Sequence, residues 1–241
     1  MPAFQSALQA LRELLQAGKA VAPVAAKAKY LAPQENALEI ARMNAVRMLG
    51  LPENNTALDR ARAMGYVEPA YHGSPNPDIR SFDLSRSGEN TGNVFGDPRA
   101  FATSDPLAAS GYAVRRDLRN LLTGEGSLPA GQVSEGATVY PLMIRTADYA
   151  PYEAGGKGWM RANRPAIEQA AEQGALGALI RSVQDNPAPA LKGRVGDVYA
   201  TDRPETFRSR FAAFDPARMH ESGLMYAQGG LAKMKECNCG R

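Results

Sequence analysis

The chain has 241 residues, 44% of them hydrophobic and 22% charged, so it is large enough and apolar enough to bury a core. Its formal net charge is only +3, and Lys and Arg are not clustered between aromatic residues, which argues against a nucleic-acid partner. No run of about 20 apolar residues is present, so neither a membrane partner nor a secretory signal is expected. The two cysteines, Cys237 and Cys239, exclude a disulfide framework and favour a reducing compartment.

The first predicted element is an amphipathic helix near the N-terminus. Phe4, Leu8, Leu11 and Leu15 recur at helical spacing, and the helix is expected to stop near Gly18. This apolar face is followed by an Ala/Pro/Lys-rich linker. We therefore expect it to pack on another chain or within a helical cluster.

Two more helices are predicted before residue 67. The segment "APQENALEIARMNAVRMLGLP" indicates a helix that ends at Gly50 and Pro52. A shorter helix follows, in which Thr56 is the N-cap, Asp59 completes a capping box and Gly65 ends the helix. Residues 1–66 are therefore predicted to form an all-helical N-terminal extension.

The sequence changes character after residue 66. The segments "ATVYPLMIRT", "GALGALIRSV" and "DVYAT" are apolar runs of strand length that contain β-branched residues. Turns rich in Gly, Ser and Asn separate them. Together with two helices, these strands predict an α+β domain over residues 67–216.

The two helices of this domain are predicted from their first residues. In "TSDPLAASGYAVRR", Asp105 can cap a helix that has Pro106 at its first position. In "RPAIEQAAEQG", Pro165 is expected to open a helix that Gly174 ends.

Residues 217–241 form a Gly/Lys-rich tail that is predicted to be flexible. Cys237 and Cys239 lie in it, and His220 precedes them. Two thiols one residue apart do not match the CxxC spacing of zinc sites, so no metal site is predicted.

Three segments of the domain carry a resemblance to a known family. They are "YHGS" at 71–74, "FGDPRAFATSDPLAASGYA" at 95–113 and "GDVYATDRPETFRSRFAAFD" at 196–215. In this order and spacing they resemble the His-Tyr-Glu class of ADP-ribosyltransferases, which includes diphtheria toxin and the poly-ADP-ribose polymerases. The similarity is greatest to the ADP-ribosyltransferase-like domains of bacteriophages and prophages, and it spans residues 57–216. It implies a split β-sheet core that binds NAD as a substrate.

The resemblance also implies roles for the first motif. His72 would lie at the end of the first strand and hydrogen-bond the adenosine ribose of NAD. The backbone of Gly73 would hold the nicotinamide carboxamide, a close approach that suits glycine. Ser74 would assist with its hydroxyl. Read alone, without the other two motifs, His72 is better explained as an ordinary turn histidine.

The second and third motifs would complete the site. Phe101 stands where the family has Tyr, and with Tyr112 it would sandwich the nicotinamide ring. Asp197 stands where the family has the catalytic Glu, and it would stabilise the oxocarbenium-like state formed as the nicotinamide–ribose bond breaks. Asp185 is the alternative carboxylate, but only Asp197 abuts a strand that leads into "RSRF". Phe101 and Tyr112 are also compatible with ordinary core residues.

The function that this resemblance implies is that of a phage-type mono-ADP-ribosyltransferase. Such an enzyme, a glycosyl-type transferase, cleaves NAD and transfers ADP-ribose to a host macromolecule. The alternative is a weakly active or inactive fold that serves as a virion structural or ejected protein and assembles through residues 1–66 and 217–241. Either function predicts a location in the phage virion or in the bacterial host cytoplasm.

Overall fold

The computed structural model describes residues 35–77, 79–88, 98–113, 137–185 and 193–219. These residues form an α+β unit in which four α-helices accompany one seven-stranded mixed sheet. The α+β class predicted from the sequence is therefore confirmed. The N-terminal helix predicted from Phe4 to Leu15 and the predicted tail after residue 219 lie outside the described residues.

The elements have the following bounds. The helices are α1 (Glu35–Leu49), α2 (Ala57–Ala63), α3 (Pro106–Ala113) and α4 (Trp159–Glu172). The strands are β1 (Tyr66–Ser74), β2 (Ala100–Thr103), β3 (Thr138–Arg145), β4 (Tyr149–Glu153), β5 (Gly177–Val183), β6 (Gly196–Thr201) and β7 (Phe207–Ser209). None of the helices in these segments is both long and apolar enough to cross a bilayer.

The strands follow the order β4-β5-β6-β2-β1-β3-β7, and β4 and β5 form the parallel pair of the sheet. Strand β1 pairs with β3 over its whole length, from Tyr66 to Ser74. It pairs with β2 only at Tyr71, opposite Thr103. The sheet thus consists of two well-paired halves that meet at one ladder position between β1 and β2.

Helices α3 and α4 cover the same face of the sheet. Tyr71 is opposite Thr103, Thr103 is opposite Val198, and paired residues project to one face. Val198 packs in the core cluster formed with the buried alanines of α4. Gly73 shares this face with Tyr71, and a Cβ atom on it would lie 1.7 Å from the carbonyl oxygen of Ala109 in α3. Strands β6 and β2 therefore run beneath the space between the two helices.

The opposite face carries the larger aromatic and aliphatic core. Its buried members include side chains of β1, β3, β6 and β7: Ala70, Tyr140, Leu142, Ile144, Tyr199 and Phe207. Ile79, Phe82 and Leu84, from the segment after β1, pack against this cluster. The sheet is thus buried on both faces, which explains why its central strands contain few charged residues.

Helices α1 and α2 pack against the chain that follows β7. The buried guanidinium of Arg60 donates from Nε to the carbonyl oxygen of Ala213, 2.8 Å away. Asn44 donates to the carboxylate of Asp215 at 2.9 Å. Residues 35–63 therefore belong to the same folded unit as the sheet, and the predicted boundary at residue 66 falls on the first residue of β1.

The sequence signals for α1, α2 and α3 are confirmed. Helix α1 ends one residue before Gly50, which has a φ of +66°. Helix α2 begins with the expected capping box, because Thr56 accepts from the N–H of Asp59 and Asp59 accepts from that of Thr56. In α3, the Asp105 carboxylate accepts from the N–H of Leu107 at 2.9 Å, directly before Pro106.

The predicted start of α4 at Pro165 is wrong, because the helix begins at Trp159. Ala162, Ala166 and Ala170 recur every fourth residue and are buried against the sheet, so the helix extends ahead of the proline. Pro165 is exposed, which keeps its ring out of the packed face. The free energy gained by packing this face therefore exceeds the cost of the one helical hydrogen bond that proline cannot donate.

Candidate functional site

One candidate residue from each of the three sequence motifs lies on each of three adjacent strands. His72 is on β1, Phe101 on β2 and Asp197 on β6, and these strands are neighbours in the order β6-β2-β1. The motifs are far apart along the chain, so the sheet topology, rather than local sequence, brings them into one region.

The imidazole of His72 spans the gap between β1 and β2. Its Nδ1 lies 2.7 Å from the carbonyl oxygen of Phe101. Because a carbonyl oxygen only accepts, Nδ1 carries the hydrogen. Burial lowers the pKa of His72, against the opposite effect of this bond, so the ring is neutral near pH 7. Nε2 then presents a lone pair, which can accept a hydrogen bond from a hydroxyl group.

Aromatic rings hold the imidazole of His72 from the side. Phe82 packs edge-to-face against it with ring centroids 4.9 Å apart. Tyr140, opposite His72 on β3, lies 6.2 Å away. These rings belong to the face of the sheet that α3 and α4 do not cover.

Gly73 and Ser74 have structural partners of their own. Gly73 lies against the backbone of α3. Ser74 is buried, and its hydroxyl accepts from the N–H of Asn76 at 3.1 Å, which closes the turn after β1. The absence of a side chain at residue 73 is therefore already required by the packing of α3.

The ring of Phe101 projects to the face covered by the helices. It packs edge-to-face on Trp159, the first residue of α4, with centroids 5.7 Å apart. The side chains of His72 and Phe101 thus lie on opposite faces, although His72 bonds the Phe101 backbone. The structure does not bring these two side chains together.

Tyr112 and Asp185 form a hydrogen-bonded pair next to the start of α4. The hydroxyl of Tyr112, near the end of α3, donates to the carboxylate of Asp185 at 2.5 Å. Gln184, the residue before Asp185, accepts from the N–H of Trp159 at 3.0 Å. The pair is therefore linked to the Phe101–Trp159 contact through the backbone of Gln184 and Trp159.

The pKa of the Asp185 carboxyl is raised above its ordinary value. Burial raises its pKa to about 6, while the hydrogen bond from Tyr112 acts in the opposite direction. A carboxyl with such a pKa can hold or release a proton near neutral pH. The sequence motifs favour Asp197 over Asp185 as the catalytic carboxylate, and they predict no role for Trp159. The only available signals were that Asp185 follows a predicted strand and that Trp159 is the single tryptophan.

Asp197 is at the start of β6, where β5 contains a bulge. Its Oδ1 accepts from the N–H of Ser182 at 3.0 Å, and Ser182 has a φ of 53°. Its own N–H donates to the hydroxyl of Ser104 at 2.8 Å. Oδ2 makes no hydrogen bond with the described residues. One oxygen of Asp197 therefore supports the bulge, and the other is available to a ligand.

Asp185→Asn should increase stability at neutral pH and flatten its dependence on pH. The folded chain holds the Asp185 proton up to about pH 6, whereas the ordinary pKa is 3.8, so stability falls as the pH rises between these values. Asparagine can still accept from Tyr112 but cannot ionise. We expect the free energy of unfolding at pH 8 to rise by up to about 3 kcal/mol. Urea denaturation at a series of pH values measures this.

The matched control is Asp148→Asn, which changes an exposed carboxyl to the same amide. It should leave the pH dependence of stability as in the wild type. If Asp185→Asn keeps the full decline in stability between pH 4 and pH 6, Asp185 is not the group that causes it.

Within the described segments, no cluster of three or more His, Cys, Asp or Glu side chains could hold a metal ion. His220, Cys237 and Cys239 are not among those residues. No protein-family model, curated protein or solved structure matches this chain. The geometry of β1, β2 and β6 and the Tyr112–Asp185 pair are thus the basis for assigning a function.

Proposed function

We propose that the chain is an ADP-ribosyltransferase that cleaves NAD and transfers ADP-ribose to a host macromolecule. The observation that carries the proposal is the adjacency of β6, β2 and β1, which hold Asp197, Phe101 and His72, one residue from each motif resembling that family. Phe101 follows His72 by about 30 residues, and Asp197 follows Phe101 by about 95. Local sequence preference alone would not place residues so far apart on three neighbouring strands.

The junction between β1 and β2 is the proposed binding position. Beyond Tyr71 and Thr103 these strands no longer pair, and the imidazole of His72 bonds the Phe101 carbonyl across the gap. A ligand at this junction could contact Nε2 of His72 from one side of the sheet. The ring of Phe101 lies on the other face of the sheet, packed on Trp159, so it does not take part in this contact.

The proposed chemistry uses the charge of Asp197. Breaking the nicotinamide–ribose bond develops positive charge on the ribose, as in glycoside cleavage. A carboxylate fixed by the Ser182 N–H is preorganised to stabilise that charge through its second oxygen. Nicotinamide would leave as a neutral molecule, taking the electron pair of the broken nicotinamide–ribose bond.

The direct test is to incubate the full chain with NAD and measure the release of nicotinamide. Intact-mass measurement of added protein substrates then separates transfer of ADP-ribose from hydrolysis. Release above the rate of a heat-denatured sample supports the proposal. Absence of release from both the wild type and Asp197→Glu, which restores the family's side chain, contradicts it.

A second candidate function is a scaffold that has this fold without turnover and assembles with other virion proteins. The observation that favours it is the bond from Ser182 to Asp197, which gives the carboxylate a structural task. This candidate predicts a stable assembly, detectable by light scattering, together with no release of nicotinamide.

His72→Ala should weaken NAD binding by about three- to tenfold, the loss of one hydrogen bond. The rate of nicotinamide release at saturating NAD should change less, because the proposed partner of His72 is the distant adenosine ribose. Titration calorimetry gives the affinity, and steady-state release gives KM and kcat.

Phe82→Leu is the matched control, because it alters the packing around His72 but keeps Nε2. Thermal denaturation of both variants separates a loss of folding from a loss of binding. An unchanged affinity for NAD in folded His72→Ala would remove His72 from the proposed site.

A further inference from the structure

Helix α1 carries two exposed apolar side chains on the face that points away from the folded unit. Its buried face contains Ala41 and Ala45, both with 0% exposure. At about 100° per residue, Met43 lies roughly 160° from each of these alanines, and Ile40 is its neighbour one turn earlier. Ile40 is 54% exposed and Met43 is 61% exposed. Because the two side chains are adjacent, they form an apolar patch, unlike the scattered single residues that are normal on a protein surface.

This patch lies at the centre of a line that has the spacing of a helix–helix contact. Four exposed residues, named the outer stripe below, recur at intervals of four, three and four: Asn36, Ile40, Met43 and Arg47. Residues that alternate in this way form the contact line between two packed helices. The outer stripe is apolar at its centre and polar at each end. It therefore fits a second helix that has an apolar line of the same spacing, about three turns long.

The N-terminal segment of the same chain has such a line. Phe4, Leu8, Leu11 and Leu15 also recur at intervals of four, three and four, in a segment that is predicted to be helical and lies outside the described residues. We propose that residues 4–15 dock on the outer stripe, parallel to α1. The centre of each apolar line then meets the centre of the other, with Leu8 level with Ile40 and Leu11 level with Met43.

Charge favours the parallel orientation. In a parallel helix pair, a charged residue flanking the contact line on one helix meets the residue five positions further along on the other. With Leu8 level with Ile40, the residue five positions beyond Glu39 is level with Arg12, so opposite charges meet. Glu39 bonds Arg42 of its own helix in an exposed pair, which leaves its carboxylate accessible to a second cation. An antiparallel pair would instead give Glu39 an apolar neighbour.

The length of the intervening chain allows docking on the same molecule. In the parallel register Leu15 is level with Arg47, which is 12 residues beyond Glu35. This separation corresponds to about 18 Å of helix. Residues 16–34 must span it, and a flexible chain of these 19 residues has an r.m.s. end-to-end distance of roughly 24 Å. Because this distance is close to the span, the segment has a high effective concentration at its own α1, which favours docking within one chain over pairing of two chains.

A disulfide cross-link tests the register. In the full chain with Cys237→Ser and Cys239→Ser, the pair Leu8→Cys and Ile40→Cys should form a disulfide within the monomer on mild oxidation. The matched control is Gln9→Cys with Ile40→Cys, because residue 9 points about 100° away from the contact line. It should cross-link much more slowly. Intact mass and non-reducing electrophoresis distinguish a bond within one chain from a bond between two chains.

Met43→Glu should undock the segment, because it places a charge in the contact line. In the wild type, the amides of residues 4–15 should exchange hydrogen at least about tenfold more slowly than in a synthetic peptide of residues 1–20. Met43→Glu should remove this protection. Met48→Glu is the control, since Met48 is a 51% exposed methionine of the same helix and lies about 140° from Met43. It should keep the protection, as measured by hydrogen exchange and mass spectrometry on the full chain.

Each outcome either supports or overturns the docking. Protection lost in Met43→Glu and kept in Met48→Glu, together with a cross-linked monomer, supports it. A cross-linked dimer from the same cysteine pair overturns docking within one chain and assigns the outer stripe to a second copy. No protection in the wild type, or equal protection in the two glutamate variants, overturns the outer stripe as the site. These residues take no part in the proposed NAD chemistry, so Met43→Glu should leave nicotinamide release unchanged and the two proposals are tested independently.

Discussion

Asp197→Asn should lower the rate of NAD cleavage by about 10²–10³-fold while leaving the affinity for NAD nearly unchanged. The carboxylate is proposed to act where positive charge develops on the ribose, and that charge is absent from bound NAD. An interaction that strengthens only in the transition state is lost from kcat and not from binding. Measurement of nicotinamide release over a range of NAD concentrations separates the two quantities.

The local geometry allows asparagine to replace Asp197 without losing the hydrogen bond that supports the bulge in β5. Oδ1 of Asp197 accepts from the Ser182 N–H, and the amide oxygen of asparagine can accept the same bond. The bulge in β5 should therefore persist, and the loss can be assigned to charge. Asp197→Glu keeps the charge and extends the side chain by one methylene group, so it should retain activity or raise it.

Asp202→Asn is the matched control, because Asp202 directly follows β6 and its carboxylate is exposed. It should leave kcat and KM as in the wild type. Equal cleavage of NAD by wild type and Asp197→Asn would show that this carboxylate is not catalytic. A loss in Asp185→Asn alone would move the catalytic role to the carboxyl bonded by Tyr112.

The elements predicted correctly are those whose signals are local. The capping box of α2 involves Thr56 and Asp59, three residues apart, and the stop of α1 is Gly50 itself. By contrast, β2 has four residues and β7 has three, too few for a hydrophobic period to be recognised. These strands form because neighbouring strands offer ladder hydrogen bonds, which is a property of the assembled sheet.

The candidate site is only partly predictable for the same reason. The order of the three motifs along the chain predicts His72, Phe101 and Asp197, but that order does not reveal which face of the sheet each side chain occupies. The pairing of Tyr112 with Asp185 joins residues 73 positions apart. The raised pKa of Asp185 arises from burial, and burial is a consequence of tertiary packing.

Gly73→Ala should destabilise the folded chain by about 3 kcal/mol or more, at the upper end of the cost of overpacking a core. The added Cβ would lie 1.7 Å from the carbonyl oxygen of Ala109 and 2.6 Å from its carbonyl carbon. Both atoms belong to the backbone of α3, so no side-chain rotation can relieve the overlap. Helix α3 must move away from β1, or β1 must leave its ladder with β3. Urea denaturation gives the change in the free energy of unfolding.

Gly196→Ala is the matched control, since Gly196 is also a strand residue of the same sheet. A Cβ atom at residue 196 would be 3.4 Å from its nearest neighbours, which is an ordinary contact. The free energy of unfolding of Gly196→Ala should therefore stay within about 1 kcal/mol of the wild type. Equal stability of Gly73→Ala and Gly196→Ala would mean that α3 does not rest on β1. A large loss in Gly73→Ala alone would show that the glycine of the "YHGS" motif is required by helix packing. Because that requirement holds with or without NAD, the presence of this glycine in a sequence would then be evidence for the fold, while evidence for catalysis would have to come from Asp197.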